Sequence, residues 1–164
     1  MKLQFKLIAF SLMCLFSVAG VVFWYKQTST LAPAVVFKTI KGETVALAEL
    51  KGKPVLVTFW ATDCPACIEE IPHLIDLHQY SSPQGLVIIA VSMYYDPPNH
   101  VVTMANSRQL PYAVALDPDA EMANAFGGVQ FTPSSFLIDR DGNIILRKLG
   151  ALDFNDVKAR LSKI

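Results

Sequence analysis

The chain is sparing with several residue types. Of its 164 residues only three are cysteine and three histidine, and 17% are charged, 14 basic side chains against 14 acidic ones. That neutral balance, without a run of five or more like charges, leaves no electrostatic footprint for a nucleic-acid partner. No GxGxxG or Walker pattern opens a helix, so a nucleotide cofactor is not expected. Cys14, Cys64 and Cys67 are too few for a four-thiolate zinc site. Internal repeats and low-complexity tracts are missing, and the length suits one modest domain. Apolar residues, by contrast, are in excess at 52% of the total.

Much of that excess lies at the front. Leu7 to Tyr25 is an uncharged run of 19 residues, LIAFSLMCLFSVAGVVFWY, bracketed by Lys2 and Lys6 on one side and Lys26 on the other. As a helix rising about 1.5 Å per residue it would reach about 28 Å, close to the hydrocarbon thickness of a bilayer. Val21, Val22 and Phe23 continue the run beyond the core of a signal peptide, and Trp24-Tyr25 suits an interfacial anchor. The expectation is an uncleaved, single-pass transmembrane signal anchor over residues 1–26. A signal peptide cleaved after Ser17-Val18-Ala19 is the alternative. Cys14 lies inside the run and reads as a packing or lipid-facing group, because Ser11-Leu12-Met13 lacks the small residue that lipoprotein acylation needs. Without the first 26 residues the chain keeps 11 basic and 14 acidic side chains and is mildly acidic.

Residues 27–34, QTSTLAPA, read as a polar linker, and residues 35–164 as one α/β domain. Val55 to Trp60 is a β-branched and aromatic run of strand length after Pro54, and Leu86 to Val91 is a second such run after Gly85. Between them, from Pro65 to about Tyr80, Ile68, Ile71, Leu74, Ile75 and Leu77 recur at helical spacing, with Pro72 expected to kink the helix. Strand, helix, strand implies a right-handed parallel unit. Further helices are expected over Asn99–Gln109, over Asp119–Phe126 with Asp117 or Asp119 at its start, and after Asp153. Ser135–Asp139 and Asn143–Leu149 flank Arg140-Asp141-Gly142 as a hairpin. The sum is an open mixed sheet with helices on both faces.

Cys64-Pro65-Ala66-Cys67 falls at the junction of the first long strand and its helix. Unsatisfied N–H groups and the helix dipole at such a place stabilise a thiolate and raise its reactive fraction at neutral pH. Cys64 is then the exposed thiol that exchanges with a partner disulfide, and Cys67 the buried one that resolves the mixed disulfide. Pro65 suits the first helical position because it has no N–H to leave unpaired. Three other readings compete. Half a zinc site fails for want of ligands, since His73 lies about 9 Å further along the helix axis. A purely structural disulfide would close too short a loop to add much stability. A single peroxide-reducing cysteine would call for threonine where Ala61 stands. From another class, a Cu(I) chaperone could draw on Cys64, Cys67 and Met93 or Met104, although the methionines are more simply core fillers.

VLVTFWATDCPACIEEIP, GGVQFTPSSFLIDRDGNII and VFKTIKGETVALAELKGKP, spread over about residues 33–163, resemble the TlpA/ResA/CcmG branch of membrane-anchored thioredoxin-like proteins. The resemblance implies a thioredoxin fold and a thiol:disulfide oxidoreductase, most simply a reductase, with disulfide oxidant or isomerase as the alternative within the class. It implies no cofactor beyond a redox-active Cys64–Cys67 disulfide. It makes Thr132-Pro133 the cis-proline loop, with the Thr132 backbone pairing with a bound substrate. It makes Glu70 the acid beneath the active site, able to exchange a proton with Cys67, while Thr58 stands where ordinary thioredoxins carry a buried aspartate. It also implies a bacterial cytoplasmic membrane location with the domain on the periplasmic or extracytoplasmic side. Protein disulfides such as those of apocytochrome c, a copper-assembly protein or misoxidised envelope proteins would be the substrates, and a membrane thiol carrier the electron donor. The chain departs from the family at three places. Asp63 replaces the usual tryptophan before the first cysteine and opposes thiolate formation, Phe131 stands where glycine is common, and Gly127-Gly128 is one residue longer than usual.

Overall fold

The computed structural model describes residues 30–164. The apolar run from Leu7 to Tyr25 and Cys14 lie outside the described residues, and with them the expectation of a membrane span. Among the described residues no helix is long and apolar enough to cross a membrane.

A six-stranded mixed sheet organises the domain, built from β1 (Thr30–Leu31), β4 (Val55–Trp60), β5 (Val87–Ser92), β6 (Ala113–Leu116), β7 (Ser134–Ile138) and β8 (Asn143–Leu149) in the order β1-β8-β7-β4-β5-β6. β2 (Val36–Lys38) and β3 (Thr44–Ala46) form a separate antiparallel hairpin. β4 pairs in parallel with β5, and β5 with β6, whereas β7 runs antiparallel to both β4 and β8. The strand Thr30–Leu31 lies within the segment expected as a linker, and the Ala32 N–H donates to the Gly142 carbonyl at 2.9 Å.

β4 is buried at every residue, as its uninterrupted apolar run requires of a central strand. Its side chains still alternate. Leu56 and Trp60 join the core that contains Cys67, Ile71, Leu74, Val101 and Val157, beneath the helices α1 (Pro65–Ser81), α2 (Pro98–Ser107) and α4 (Phe154–Leu161). Val55, Val57 and Phe59 join the opposite core with Phe37, Ile89, Met93 and Phe136, closed by the short helix α3 (Glu121–Ala125) and the β2–β3 hairpin. There Phe59 meets Phe126 and Phe136 edge-on, with ring centroids 5.5 and 5.9 Å apart.

The expected elements are present with shifted ends. α1 runs unbroken through Pro72 to Ser81, so proline is accommodated inside the helix. α2 begins at Pro98, one residue earlier than expected, with proline in its first turn where no N–H partner is needed. α3 is shorter than expected because Ala120 precedes it in a left-handed conformation (φ 55°). Of the two acids expected near its start, Asp117 is the one that serves it: its buried carboxylate accepts from the N–H groups of Met122 and Ala123 at 3.1 and 2.8 Å.

Candidate functional site

β4 and β5 are parallel and end together, with Trp60 opposite Ser92. The register of β7, with Ser134 opposite Phe59, brings Thr132-Pro133 to the same end of the sheet. Three connecting segments therefore gather there: residues 61–64 after β4, residues 93–97 after β5, and residues 127–133 before β7. Ligand-handling groups in open sheets collect outside the carboxyl ends of parallel strands for this reason.

Cys64 caps α1 from an extended conformation, and its sulfur accepts from the Cys67 N–H at 3.2 Å. The two sulfurs are joined in a disulfide, with the Cα atoms 5.3 Å apart. Pro65 occupies the first helical position, as its chemistry favours. Both cysteines are buried in the disulfide state, Cys64 at 9% and Cys67 at 3% exposed, so the expected exposed first cysteine is not found: Cys64, tucked in as the cap of α1, is only the less buried of the two. Asp63 and Pro65 are exposed on either side of Cys64. The Thr132–Pro133 peptide is cis. Thr132 is half-buried, and the Pro133 carbonyl accepts from the Gly150 N–H at 2.8 Å.

Glu70 lies one helical turn beyond Cys67 and is 5% exposed. Its Oε1 accepts from the Leu152 N–H at 2.5 Å, joining α1 to the start of α4. Burial raises its pKa, while the Leu152 hydrogen bond and the nearby His73 pull it back down. Glu70, Cys67, Thr58, Trp60 and Tyr112 share the wall of a cavity of about 10 Å³, room for about one water. Thr58 accepts from the Ser135 hydroxyl at 2.9 Å, so the residue at the thioredoxin-aspartate position is satisfied by another side chain. Burial and the charge of Glu70 both push the Tyr112 phenol up.

Two participants are not singled out by sequence. Tyr112 enters the cavity from β6's side of the sheet, where an isolated tyrosine after Pro111 carries no motif. Asp96 is buried, and its carboxylate accepts from Thr62 N–H and Oγ1 at 2.7 and 2.6 Å. It thereby ties the loop after β5 to the loop that leads into Cys64. The one available signal for Asp96 is an acid just past a buried strand parallel to the cysteine-bearing one. Met93, a candidate copper ligand, is buried in the core of the opposite face, and Met104 is half-buried. His73 is exposed against Phe154, with ring centroids 5.3 Å apart. His78 is half-buried against Tyr112, with ring centroids 6.3 Å apart. Among the described residues no group of three His, Cys, Asp or Glu side chains is placed to hold a metal.

A redox-spaced cysteine pair at the start of a helix, beside a cis-proline and on a mixed sheet covered on both faces, defines a thioredoxin-fold thiol:disulfide oxidoreductase. The Redoxin family model matches residues 27–161, and the chain belongs to that family. Within it the protein is ResA-like. It is 32% identical over 138 residues to the thiol-disulfide oxidoreductase ResA of Bacillus thuringiensis (strain Al Hakam), covering 84% of this chain and 79% of that protein. The crystal structure of a thioredoxin-family thiol:disulfide interchange protein from Chlorobium tepidum superposes with a TM-score of 0.70 at 31% identity, over 82% of this chain and 94% of the other. StoA from Bacillus subtilis superposes with a TM-score of 0.65 at 25% identity, over 77% and 98%.

Proposed function

We propose that the protein is a membrane-tethered reductase of protein disulfides on the extracytoplasmic side of a bacterial cytoplasmic membrane. The observation that carries the reading is the Cys64–Cys67 disulfide at the α1 N-terminus, with Cys64 the less buried residue of the pair and the buried Glu70 sharing a small cavity with Cys67. In the reduced protein the Cys64 thiolate attacks a substrate disulfide. One substrate sulfur leaves as a thiolate, and Cys64 holds the other in a mixed disulfide. Cys67 then attacks Cys64, the second substrate thiol departs, and the Cys64–Cys67 disulfide forms with two electrons transferred. Glu70 takes the proton from Cys67 as that thiol becomes the attacking thiolate.

The charge at Asp63 supports that direction, partly offsetting the helix N-terminus that stabilises the Cys64 thiolate. A strong oxidant of this fold has a stabilised reduced form. Here Asp63 places an anion beside Cys64, which disfavours the thiolate and tilts the couple towards the disulfide. Such a couple gives up electrons readily, and on the oxidising side of a membrane it needs a donor, for which a membrane thiol carrier is the fitting class. The run Leu7–Tyr25 supplies the tether, and disulfides of the kind formed in apocytochrome c before haem attachment are the leading substrate class.

Equilibration of the full chain in detergent against glutathione and dithiothreitol tests this, with Glu70→Gln alongside. The expected potential is more reducing than that of the glutathione couple, and the variant should show an altered Cys67 titration. A potential near that of strong oxidants would overturn the reductase reading.

A further inference from the structure

Three carboxyl groups are buried among the described residues: Glu70, Asp96 and Asp117. Glu70 lies behind the cysteine pair and Asp117 serves α3, but Asp96 has no task of either kind. It is 6% exposed, and among the described residues the one ion pair joins Arg160 to Asp156, so no cation pairs with it. A charge withdrawn from water needs hydrogen bonds in place of hydration. Asp96 takes both of its side-chain bonds from a single residue, Thr62, which stands just before Asp63 and Cys64: Oδ2 accepts the Thr62 N–H at 2.7 Å and Oδ1 the Thr62 hydroxyl at 2.6 Å.

These bonds join two turns at the carboxyl ends of the parallel strands. The Met93 N–H donates to the Trp60 carbonyl at 3.0 Å and the Asp96 N–H to the Met93 carbonyl at 3.0 Å, which folds residues 93–96 into a turn pinned to the end of β4. The Cys64 N–H donates to the Ala61 carbonyl at 3.2 Å, which makes residues 61–64 a second turn with Thr62 inside it. That main-chain bond is at the long end of the N–H···O range, whereas both bonds to the carboxylate are short and charge-assisted. The carboxylate is therefore the stronger hold on the second turn. Cys64 leaves that turn in an extended conformation (φ −98°, ψ 105°), and its sulfur accepts from the Cys67 N–H at 3.2 Å. A thiolate there is stabilised by the helix N-terminus, so the orientation of the turn sets how much of that stabilisation Cys64 receives.

We propose that Asp96 is a positioning residue for disulfide exchange: by gripping Thr62 at two points it fixes the turn of residues 61–64 and keeps the Cys64 sulfur on the α1 N-terminus, where its thiolate is stabilised. Asp96 acts through Thr62 and touches no substrate. The proposal rests on the exchange chemistry of Cys64 and Cys67 and holds for either direction of electron flow. The side chain exerts two opposed effects on Cys64. Its grip favours the thiolate, and its negative charge disfavours it. Asparagine separates them, because it loses the charge and keeps both contacts, its oxygen accepting from the Thr62 N–H and its amide donating to Thr62 Oγ1. Alanine loses charge and contacts together.

The test uses the full chain in detergent, fully reduced and freed of reductant, in single-turnover reactions with hydroxyethyl disulfide over a range of pH. The Cys64 thiolate attacks one sulfur and a 2-mercaptoethanol thiolate leaves. Cys67 then attacks Cys64, the second 2-mercaptoethanol departs, and the protein is left with its Cys64–Cys67 disulfide. The midpoint of the rate against pH reports the Cys64 pKa. In Asp96→Ala it should lie about one unit above its place in Asp96→Asn. Below both midpoints the thiolate fraction is then about tenfold lower and the more basic thiolate about threefold more nucleophilic, so the alanine variant should react about threefold more slowly than the asparagine one. Thr62→Val keeps the charge and deletes one contact, and its midpoint should lie above that of Thr62→Ser. A merely structural role would lower the stability of Asp96→Ala to urea and leave its pH midpoint at that of Asp96→Asn. Coincident midpoints in either pair would overturn the proposal. If the reduced wild-type chain does not reduce hydroxyethyl disulfide, the exchange reading fails and the positioning role with it; if it does and the paired midpoints coincide, the positioning role alone fails.

Discussion

Glu70 and Asp63 are two carboxyl groups one helical segment apart, and their surroundings push them towards different tasks. Glu70 is buried, with its pKa raised from the ordinary 4.5 chiefly by desolvation. The folded protein therefore holds this proton to higher pH than the unfolded chain does. Its contribution to stability is complete below the ordinary carboxylate range and is lost as pH climbs through the raised value. Glu70→Gln keeps an oxygen for the Leu152 N–H and removes the charge. The oxidised variant should match the wild type near pH 4 and be the more stable of the two at pH 8, by an amount that urea denaturation at both pH values measures. The reverse order at pH 8 would place the folded carboxyl below its ordinary pKa. Asp63 is exposed and acts on Cys64 through charge alone. Asp63→Asn should lower the Cys64 thiol pKa and make the couple more oxidising, read from the thiolate absorbance and from glutathione equilibration.

Local chemistry explains how the elements carry these groups. β4 needs only its apolar composition to become a central strand, and α1 needs its apolar spacing together with Cys64 and Pro65 at its start. Both were legible in the sequence for that reason, as was Asp117 near the start of α3. Truncating that side chain by Asp117→Ala leaves the Met122 and Ala123 N–H groups without their acceptor, at a cost of about 1–2 kcal/mol in denaturant unfolding. What was not legible is made by pairing between distant segments. The Thr62–Asp96 bonds cross 34 residues, the Ser135–Thr58 bond 77 and the Leu152–Glu70 bond 82. No spacing rule reaches that far, because each exists only after the sheet has set its register. The resemblance did locate Glu70 and the cis-proline loop. It was silent on Asp96 and Tyr112, which belong to no motif quoted for it.

At the scale of the whole molecule, the described residues face the sheet with two separate cores, a hydrophobic interior on each side. The membrane tether proposed above rests on the apolar run Leu7–Tyr25. The full chain should remain in the membrane fraction through alkaline carbonate and be released only by detergent, while a chain lacking residues 1–29 should fold and stay in solution. Release of the full chain by carbonate would remove the transmembrane tether and favour cleavage at the Ser17-Val18-Ala19 segment.

The same sheet separates the domain into two poles. The cysteine loop, the Asp96 loop and the cis-proline loop share one, while the tight turns at Gly85 and Gly142, with positive φ of 94° and 90°, precede β5 and β8 at the other. Arg140 belongs to that second pole, donating to the carbonyls of Gly52 and Gln84 at 2.8 and 3.4 Å. For protein engineering, the Gly142 turn is the natural handle. A dye, an affinity tag or a surface linker grafted there would report on or immobilise the molecule while its reactive pole stays free to meet other proteins.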